Sequence, residues 1–381
     1  MDIPPRVPTL TDGVVTLRGH RPDDVPAVYA QCQDPDMTRW TTIPHPYTRA
    51  DAEAFVAGRE PAWVAGHTYT LAIDAPDPGT GHPRYAGAVE LQVRGSRTTE
   101  VAYGLAPWAR GHGIVSAALR LVLPWGFEAL ETEVVLWRAV VGNWPSRRAA
   151  WAVGFRHDGT ASGLHEHRGV PQDTWTGSLR PGEPLAPVCP WYVPPWIVTP
   201  VAVLRPHRAD DTGRTLEAFA DVETLRWFPD LPDRSTAEDV DRSRDQTLAA
   251  QAEGQLLCWA VADPADDRLL GEVTLFGLDG GRSTSADIGY WTHPDARRRG
   301  IATAAVRAAA RHALLPASEG GLGLRRVALR AVTGNVASLR VATAAGFTRT
   351  GTDRRAERLR DGTHQDLACF DLLAEEVSAP S

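Results

Sequence analysis

Alternation of apolar and polar positions runs through the chain twice, in the same order. Each run opens with a short strand pattern, "VVTLRG" from Val14 and "VAVLRP" from Val201. A helical stretch follows, with Asp24 or Asp211 placed to cap it. Period-two runs then predict strands: "YTLAIDA" and "YAGAVELQV" from Tyr69 and Tyr85, "LCWAVAD" and "LLGEVTLFGL" from Leu257 and Leu269. Another strand, "VAYGLAP" or "IGYWTHP", stops at proline. A glycine-bearing loop turns into an Ala/Leu-rich helix. A nearly continuous apolar strand comes next, "EVVLWRAVV" or "RVALRAVT", then a short helix ending at "GF". The Gly of "GF" suits a helix end that needs positive φ. Strands alternating with helices predict α/β layers.

The two runs keep register. "LRGHRPDD" and "LRPHRADD" lie 187 residues apart, as do "EVAYGLAPWARGHGI" and "DIGYWTHPDARRRGI". The pairs Asn143/Asn335 and Gly154/Gly346 lie 192 apart, so five residues enter between them, at the Gly-rich "ASEGGLGLRR". A constant offset over more than a hundred residues indicates a duplicated domain rather than a solenoid of short repeats. The boundaries read as domain 1–183, a Pro-rich linker 184–200 and domain 201–381. The linker is expected to be extended and stiff, with Trp191, Tyr192 and Trp196 docking it on a neighbouring surface.

Composition narrows the function classes. The net charge is −7, which gives no general attraction to nucleic acid or anionic membrane. All 40 basic residues are Arg, so no lysine serves as base, nucleophile or Schiff-base former. The four cysteines are far apart without C-x-x-C pairing, which argues against a disulfide framework or a zinc site. "HEH" at His165–His167 lacks a third partner, and no metal is expected. The start, "MDIPPRVPTL", does not read as a signal peptide, and no apolar run reaches membrane-spanning length; cytoplasm is the default.

The repeated loop joins a strand that stops at proline to a helix start. Unpaired backbone N–H groups and the positive helix end meet there, which makes an anion site. Gly300 and Gly113 let the backbone come close to a phosphate. The loop is neither a Walker loop nor G-x-G-x-x-G.

Taken in order, L-R-P-x-R-x-x-D, a G-x-V-x-L strand, I-G-Y-W-x-x-P, R-x-x-G-x-A, N-x-x-S and G-F resemble the GNAT acetyltransferases. Within them, the branch of the ribosomal-protein alanine N-acetyltransferases is most similar. The resemblance covers both halves and implies two tandem GNAT-like domains. Each would be a mixed, largely antiparallel sheet flanked by helices, with a splayed strand pair that admits coenzyme A. The implied cofactor is acetyl-CoA. The implied contacts are Arg297, Arg298, Arg299, Gly300, Ile301 and Ala302 around the pyrophosphate, Ile288, Gly289, Tyr290 and Trp291 along the strand edge, and Asn335. In the first half Arg110 and Gly113 match, but Val115 stands where Gly or Ala belongs, and Pro124 is expected to kink the helix. The second half therefore reads as the working copy and the first as degenerate or weak.

The same resemblance implies direct acyl transfer to a primary amine, of a small molecule or of a peptide N-terminus. The tyrosine that family members often use as acid, seven residues after the Asn, is replaced by Ala342 and Ala150. Ser338 is the implied substitute, with Asn335; both equally suit helix capping. Asp287 and Glu272 are the candidate bases, with Glu100 and Glu90 as their first-half counterparts. His293 reads as loop surface. A CoA-binding sensor without turnover is the competing reading, and turnover separates the two.

Overall fold

The computed structural model describes residues 7–377. Part of the N-terminal stretch "MDIPPRVPTL" therefore lies outside the described residues. The chain divides into two compact units between Val188 and Cys189.

In the first unit the elements are β1 (Leu10–Thr11), β2 (Thr16–Arg18), α1 (Val25–Cys32), α2 (Pro35–Trp40), α3 (Arg49–Ala57), α4 (Arg59–Val64), β3 (Thr68–Pro76), β4 (Pro83–Gly95), β5 (Thr98–Leu105), α5 (Ile114–Ala129), β6 (Val134–Val140), α6 (Trp144–Trp151), β7 (Arg156–His167) and β8 (Val170–Leu179). They build one eight-stranded sheet in the order β1-β2-β3-β4-β5-β6-β8-β7. The second unit repeats this with β9 (Ile197–Val198), β10 (Val203–Arg205), α7 (Thr212–Phe219), α8 (Val222–Trp227), α9 (Ala237–Ala252), β11 (Leu257–Ala262), β12 (Leu269–Phe276), β13 (Ser285–Thr292), α10 (Ile301–Leu314), β14 (Arg326–Val332), α11 (Val336–Ala345), β15 (Thr348–Arg358) and β16 (His364–Leu373). Its sheet runs β9-β10-β11-β12-β13-β14-β16-β15. All pairings are antiparallel except β5–β6 and β13–β14. The mixed, helix-flanked sheet expected for each half is what each unit contains.

Packing follows the alternation. On β12, Val273 and Leu275 are fully buried in a core with Ile301, Ala305, Val306 and Ala309 of α10. Glu272 and Thr274 therefore point to the other face. Gly271 sits at φ +159 beside a bulge in β12 at Leu270, and a Cβ there would come within 2.3 Å of the Trp291 carbonyl oxygen. Gly87 does the same against Gly104 in the first unit, so only glycine lets these strands approach.

Several expectations change. Asp24 and Asp211 do not cap the following helices through their side chains. They take a bidentate bond from Arg18 and Arg205, at 2.8 Å and 2.9 Å, and the N–H of Arg21 and Arg208 at 2.8 Å. A buried guanidinium needs such a partner, and this one ties the first strand to the loop behind it. Pro124 lies inside α5 as expected, and the helix continues through it from Ile114 to Ala129. The segment 184–200 is not a uniform spacer: Ile197–Val198 pair with β10, Tyr192 N–H bonds Gln251 O at 2.9 Å, and Trp259 Nε1 bonds Pro195 O at 2.9 Å. Its C-terminal part is thus built into the second unit, while Trp196 stays 59% exposed.

His20 gives the first unit a pH response. Both ring nitrogens are buried without a partner, and the ring packs between Phe55 and Tyr85. Burial depresses its pKa from 6.5 to about 4. The unfolded chain therefore binds the proton first as pH falls. Stability is whole above about pH 6.5 and is lost on the way down to about 4, by about 2–3 kcal/mol. Denaturant melts at pH 7 and pH 4.5 should show this loss reduced in His20→Leu. An unchanged slope in that variant would refute it.

Candidate active site

The parallel pair β13–β14 is joined only from Ser285 to Asp287, opposite Arg326 to Ala328. Beyond that, β13 stays bonded to β12 as far as Thr292, and β14 stays bonded to β16 as far as Val332. The two strands separate, so the edge of β13 from Ile288 onward faces a cleft. β5 and β6 part in the same way after Val101 and Trp137.

At the end of β13 the chain turns through Pro294–Ala296 into the glycine loop. Gly300 has φ 76 and ψ 0 and precedes the first residue of α10. Arg298 also has positive φ, 61. The N–H groups of Arg298, Arg299 and Gly300 bond nothing among the described residues, and those of Ile301 and Ala302 open the helix with no carbonyl a turn behind them. Five amides and a helix N-terminus thus converge beside the cleft, which is a fit for a diphosphate. The first unit has the same backbone, with Gly111 at φ 78 and Gly113 at φ 74. Its Val115 packs against the core rather than standing free over the loop. Backbone shape alone does not separate the two copies.

Side chains do. Arg297 turns away from the loop amides to bond Asp221 and, at 2.8 Å, Thr224 Oγ1. Burial works to raise the Asp221 pKa, but Arg297 and the Thr224 N–H outweigh it and hold the carboxyl below its usual range. Arg110 does the equivalent with Asp34 and, at 3.0 Å, Asp36. These two arginines brace α8 and α2 against the loop, and so are not free for a phosphate as their motif position suggested. Arg299 lies 3.6 Å from Asp263. Arg298 has no side-chain partner among the described residues, and it occupies a left-handed position that costs about 1 kcal/mol for a residue with a Cβ. Its counterpart is Gly111.

Inside the cleft, Tyr290 Oη and Ser338 Oγ are 2.8 Å apart. Burial pushes the phenol up to about 12, so it is protonated at neutral pH. Asn335 Oδ1 accepts from Ser338 N–H at 3.1 Å and caps α11. Capping thus accounts for Asn335, while the Ser338 hydroxyl reaches the tyrosine. The match with Tyr103 and Ser146 is incomplete. There Ser146 Oγ also takes the Trp137 indole N–H at 3.1 Å, and Tyr103 bonds the Ser146 carbonyl at 2.8 Å. Leu329 replaces that indole in the second unit, leaving its serine less committed.

The candidate bases do not meet in the cleft. Asp287 lies where the strands are still joined, with Arg330 3.6 Å away. Glu100 and Arg138 repeat this cross-strand pair. Glu272 stands opposite Trp291 and bonds His207 Nε2 at 3.1 Å, on the far side of β13 from the opening. Its register partner in the first unit is Ala88, not Glu90, because Val273–Tyr290 and Val89–Tyr103 are the matching pairs. His293 is buried, 5% exposed, not on the surface. It bonds Asp295, which Arg214 first and His293 next hold at about 2.

Sequence reasoning left Trp227 as core or pocket wall near the acceptor side and did not bring the β15–β16 loop to it. Arg226, Trp227, Val332, Gly334, Arg360 and Gln365 line a cavity at the cleft mouth. Trp227 lies against the Gly334 turn, 3.7 Å from where a Cβ would stand. The tip of the β15–β16 hairpin reaches across, with Arg360 bonding Leu231 O and Asp233. Trp227 is a pocket wall, and only the loop between β15 and β16 brings Arg360 beside it. Among the described residues no helix is long and apolar enough to cross a membrane.

Comparison with known proteins agrees with this geometry. A family model described as an acetyltransferase (GNAT) domain matches residues 15–156 and again 202–348. A putative ribosomal N-acetyltransferase, YdaF of Bacillus subtilis (strain 168), is 35% identical over 111 residues, which is 29% of this chain and 57% of that protein. Mycobacterium smegmatis RimJ, solved with CoA-disulfide, is 22% identical, with 46% of this chain and 87% of that one covered at a TM-score of 0.41. The ribosomal-protein-S5-alanine acetyltransferase of Vibrio fischeri is 16% identical, with 49% and 100% covered at a TM-score of 0.41. With both family matches falling on units that share the split strand pair and the glycine loop, the chain belongs to the GNAT acetyltransferase family and carries its domain twice.

Proposed function

We propose that the second unit transfers an acetyl group from acetyl-coenzyme A to the primary amine of a small molecule. One observation carries this reading: the five uncommitted amides from Arg298 to Ala302, set at the start of α10 beside the open edge of β13. Those amides suit a pyrophosphate, and Arg298 suits a further phosphate. The free edge from Ile288 to Trp291 suits an extended amide-bearing chain, which would add to the sheet as a strand does. The thioester supplies an activated acetyl group. A backbone N–H of Ile288–Trp291 polarises its carbonyl.

Tyr290 then has a defined task. Its proton is held at neutral pH and its oxygen is held by Ser338, so it suits donation to a departing thiolate. The nitrogen–carbon bond forms and the carbon–sulfur bond breaks. Sulfur takes the Tyr290 proton, the amine gives its own to solvent, and solvent returns a proton to Tyr290. The second unit is favoured over the first by Arg298, kept at a strained position where Gly111 would be relaxed, and by Ser338, which no indole occupies.

A compact acceptor is favoured by the Arg360 bonds to Leu231 and Asp233, which narrow the mouth. A protein N-terminus is the second reading, supported by the Bacillus relative's being named a ribosomal N-acetyltransferase. Release of free thiol in a panel of small amines and of peptides decides between them. Clear CoA binding without turnover on any amine would support a sensor instead.

Two variants test the parts. Tyr290→Phe should lower kcat by about 10²-fold with CoA affinity unchanged; full kcat would remove Tyr290 from the reaction. Arg298→Gly should leave stability within about 0.5 kcal/mol of the parent, because relief of left-handed strain offsets glycine's entropy cost. Calorimetry should show its CoA affinity reduced about fivefold to tenfold, since a charge-assisted contact is lost. Unchanged affinity would return the loop arginine to a passive surface role.

A further inference from the structure

On the face of the second sheet away from α10, three chemically different donors meet: His207 from the loop after β10, Cys258 from β11 and Glu272 from β12. His207 Nε2 is 3.1 Å from Glu272 Oε2 and 3.6 Å from Cys258 Sγ. One donor atom from each residue lies within 4.8 Å of the others. We infer that these three residues form a binding site for a single thiophilic divalent cation, zinc by its ligand set, separate from the acetyl-transfer cleft.

Geometry supports this directly. Around a tetrahedral zinc with ligand distances of about 2.0–2.3 Å, neighbouring donor atoms sit about 3.3–3.7 Å apart. The His207–Cys258 separation of 3.6 Å lies inside that range, and the His207–Glu272 separation of 3.1 Å lies just below it, so small side-chain shifts complete the arrangement. Three protein ligands leave a fourth position, and the partly exposed Glu272 side gives water access to it. Outer contacts are in place as well. Thr274 donates its hydroxyl to Cys258 Sγ at 3.1 Å. The second imidazole nitrogen, Nδ1, lies 3.9 Å from Asp211, whose own position is locked by Arg205.

Comparison of the two copies makes the trio specific. Register places Thr70 opposite Cys258's position and Ala88 at that of Glu272, so of the three only His20 remains in the first unit. There both nitrogens of His20 are buried without a partner, and Arg59 with Thr70 engages Glu90 instead. The shared scaffold does not require the Cys and the Glu. β13 and the Trp291 indole stand between the trio and the cleft, so the site does not share ligands with acetyl transfer. Without a cation Cys258 is a thiol, since burial and then Glu272 push it well above its usual range. Cation binding would release that one proton to solvent, as a coordinating thiolate requires.

The test uses the full chain, stripped with a chelator and reloaded with zinc or cobalt(II). Metal analysis after gel filtration should find about one zinc per chain. The cobalt form should show a near-ultraviolet thiolate-to-cobalt band and the visible bands of a tetrahedral ion. Cys258→Ser should abolish the thiolate band, and Glu272→Gln, which keeps the shape, should weaken zinc retention at least tenfold. His165→Ala, outside the trio, should change neither. A folded parent protein that retains no zinc and gives no thiolate–cobalt band would overturn the inference, and would leave a His207–Glu272 hydrogen bond beside a buried thiol. Zinc binding that survives both trio substitutions would overturn it equally. The cobalt spectrum of the parent needs no variant, so it decides the matter even where the Cys258→Ser protein misfolds.

Discussion

Two parallel strands that begin joined and then part are the constraint on which the rest of each unit depends. β13 and β14 cannot close on each other because each is held by another neighbour, β12 and β16, while they diverge. The gap exposes backbone N–H and C=O groups that a sheet would otherwise pair, and unpaired buried backbone is costly. It therefore needs either filling or an occupant. Tyr290 fills the protein side of it, reaching from the strand to Ser338 at the start of α11. What remains open is the strand edge itself, with the amides of the glycine loop at its end.

That loop is positioned by charge as well as by glycine. Arg297 ties it to Asp221 at the N-terminus of α8, and α8 carries Trp227 into the cleft mouth. The glycine-loop side and the cleft-mouth side of the second unit are thus braced through one ion pair. A similar pair, Arg110 with Asp34, does this in the first unit. An arginine in the middle of an anion-binding motif is in this case a strut, and the uncommitted positive charge sits one residue later.

Duplication kept the backbone and released the side chains. The left-handed pair at 111 and 113 recurs at 298 and 300, and the strand split recurs at the same register. Against that constant frame the differences stand out: Arg298 stands where the first unit has Gly111, Leu329 where it has Trp137, and Glu272 where it has Ala88. Packing explains why such changes are tolerated. The Trp137/Leu329 exchange keeps an apolar side chain in the core on the α5/α10 face, whereas the changes at Arg298 and Glu272 fall on partly exposed positions outside that core, where they cost little packing.

By itself, the sequence determined the duplication, the strand and helix order, the α/β layering and the glycine loop at a helix start. These rest on local periodicity and on residues a few positions apart, which a linear reading sees. Asn335 as a cap was legible for the same reason, since its partner is three residues away. Only the tertiary structure decided which charged groups were already spent. Arg297 meets Asp221 across 76 residues, Glu272 meets His207 across 65, and Arg360 reaches Leu231 across 129. The Glu90 counterpart failed for a related reason: a shift of two along a strand keeps the residue on the same face, so alternation cannot detect it. Side-chain partners chosen across a sheet depend on register and on chain return, and neither is written in the order of neighbouring residues.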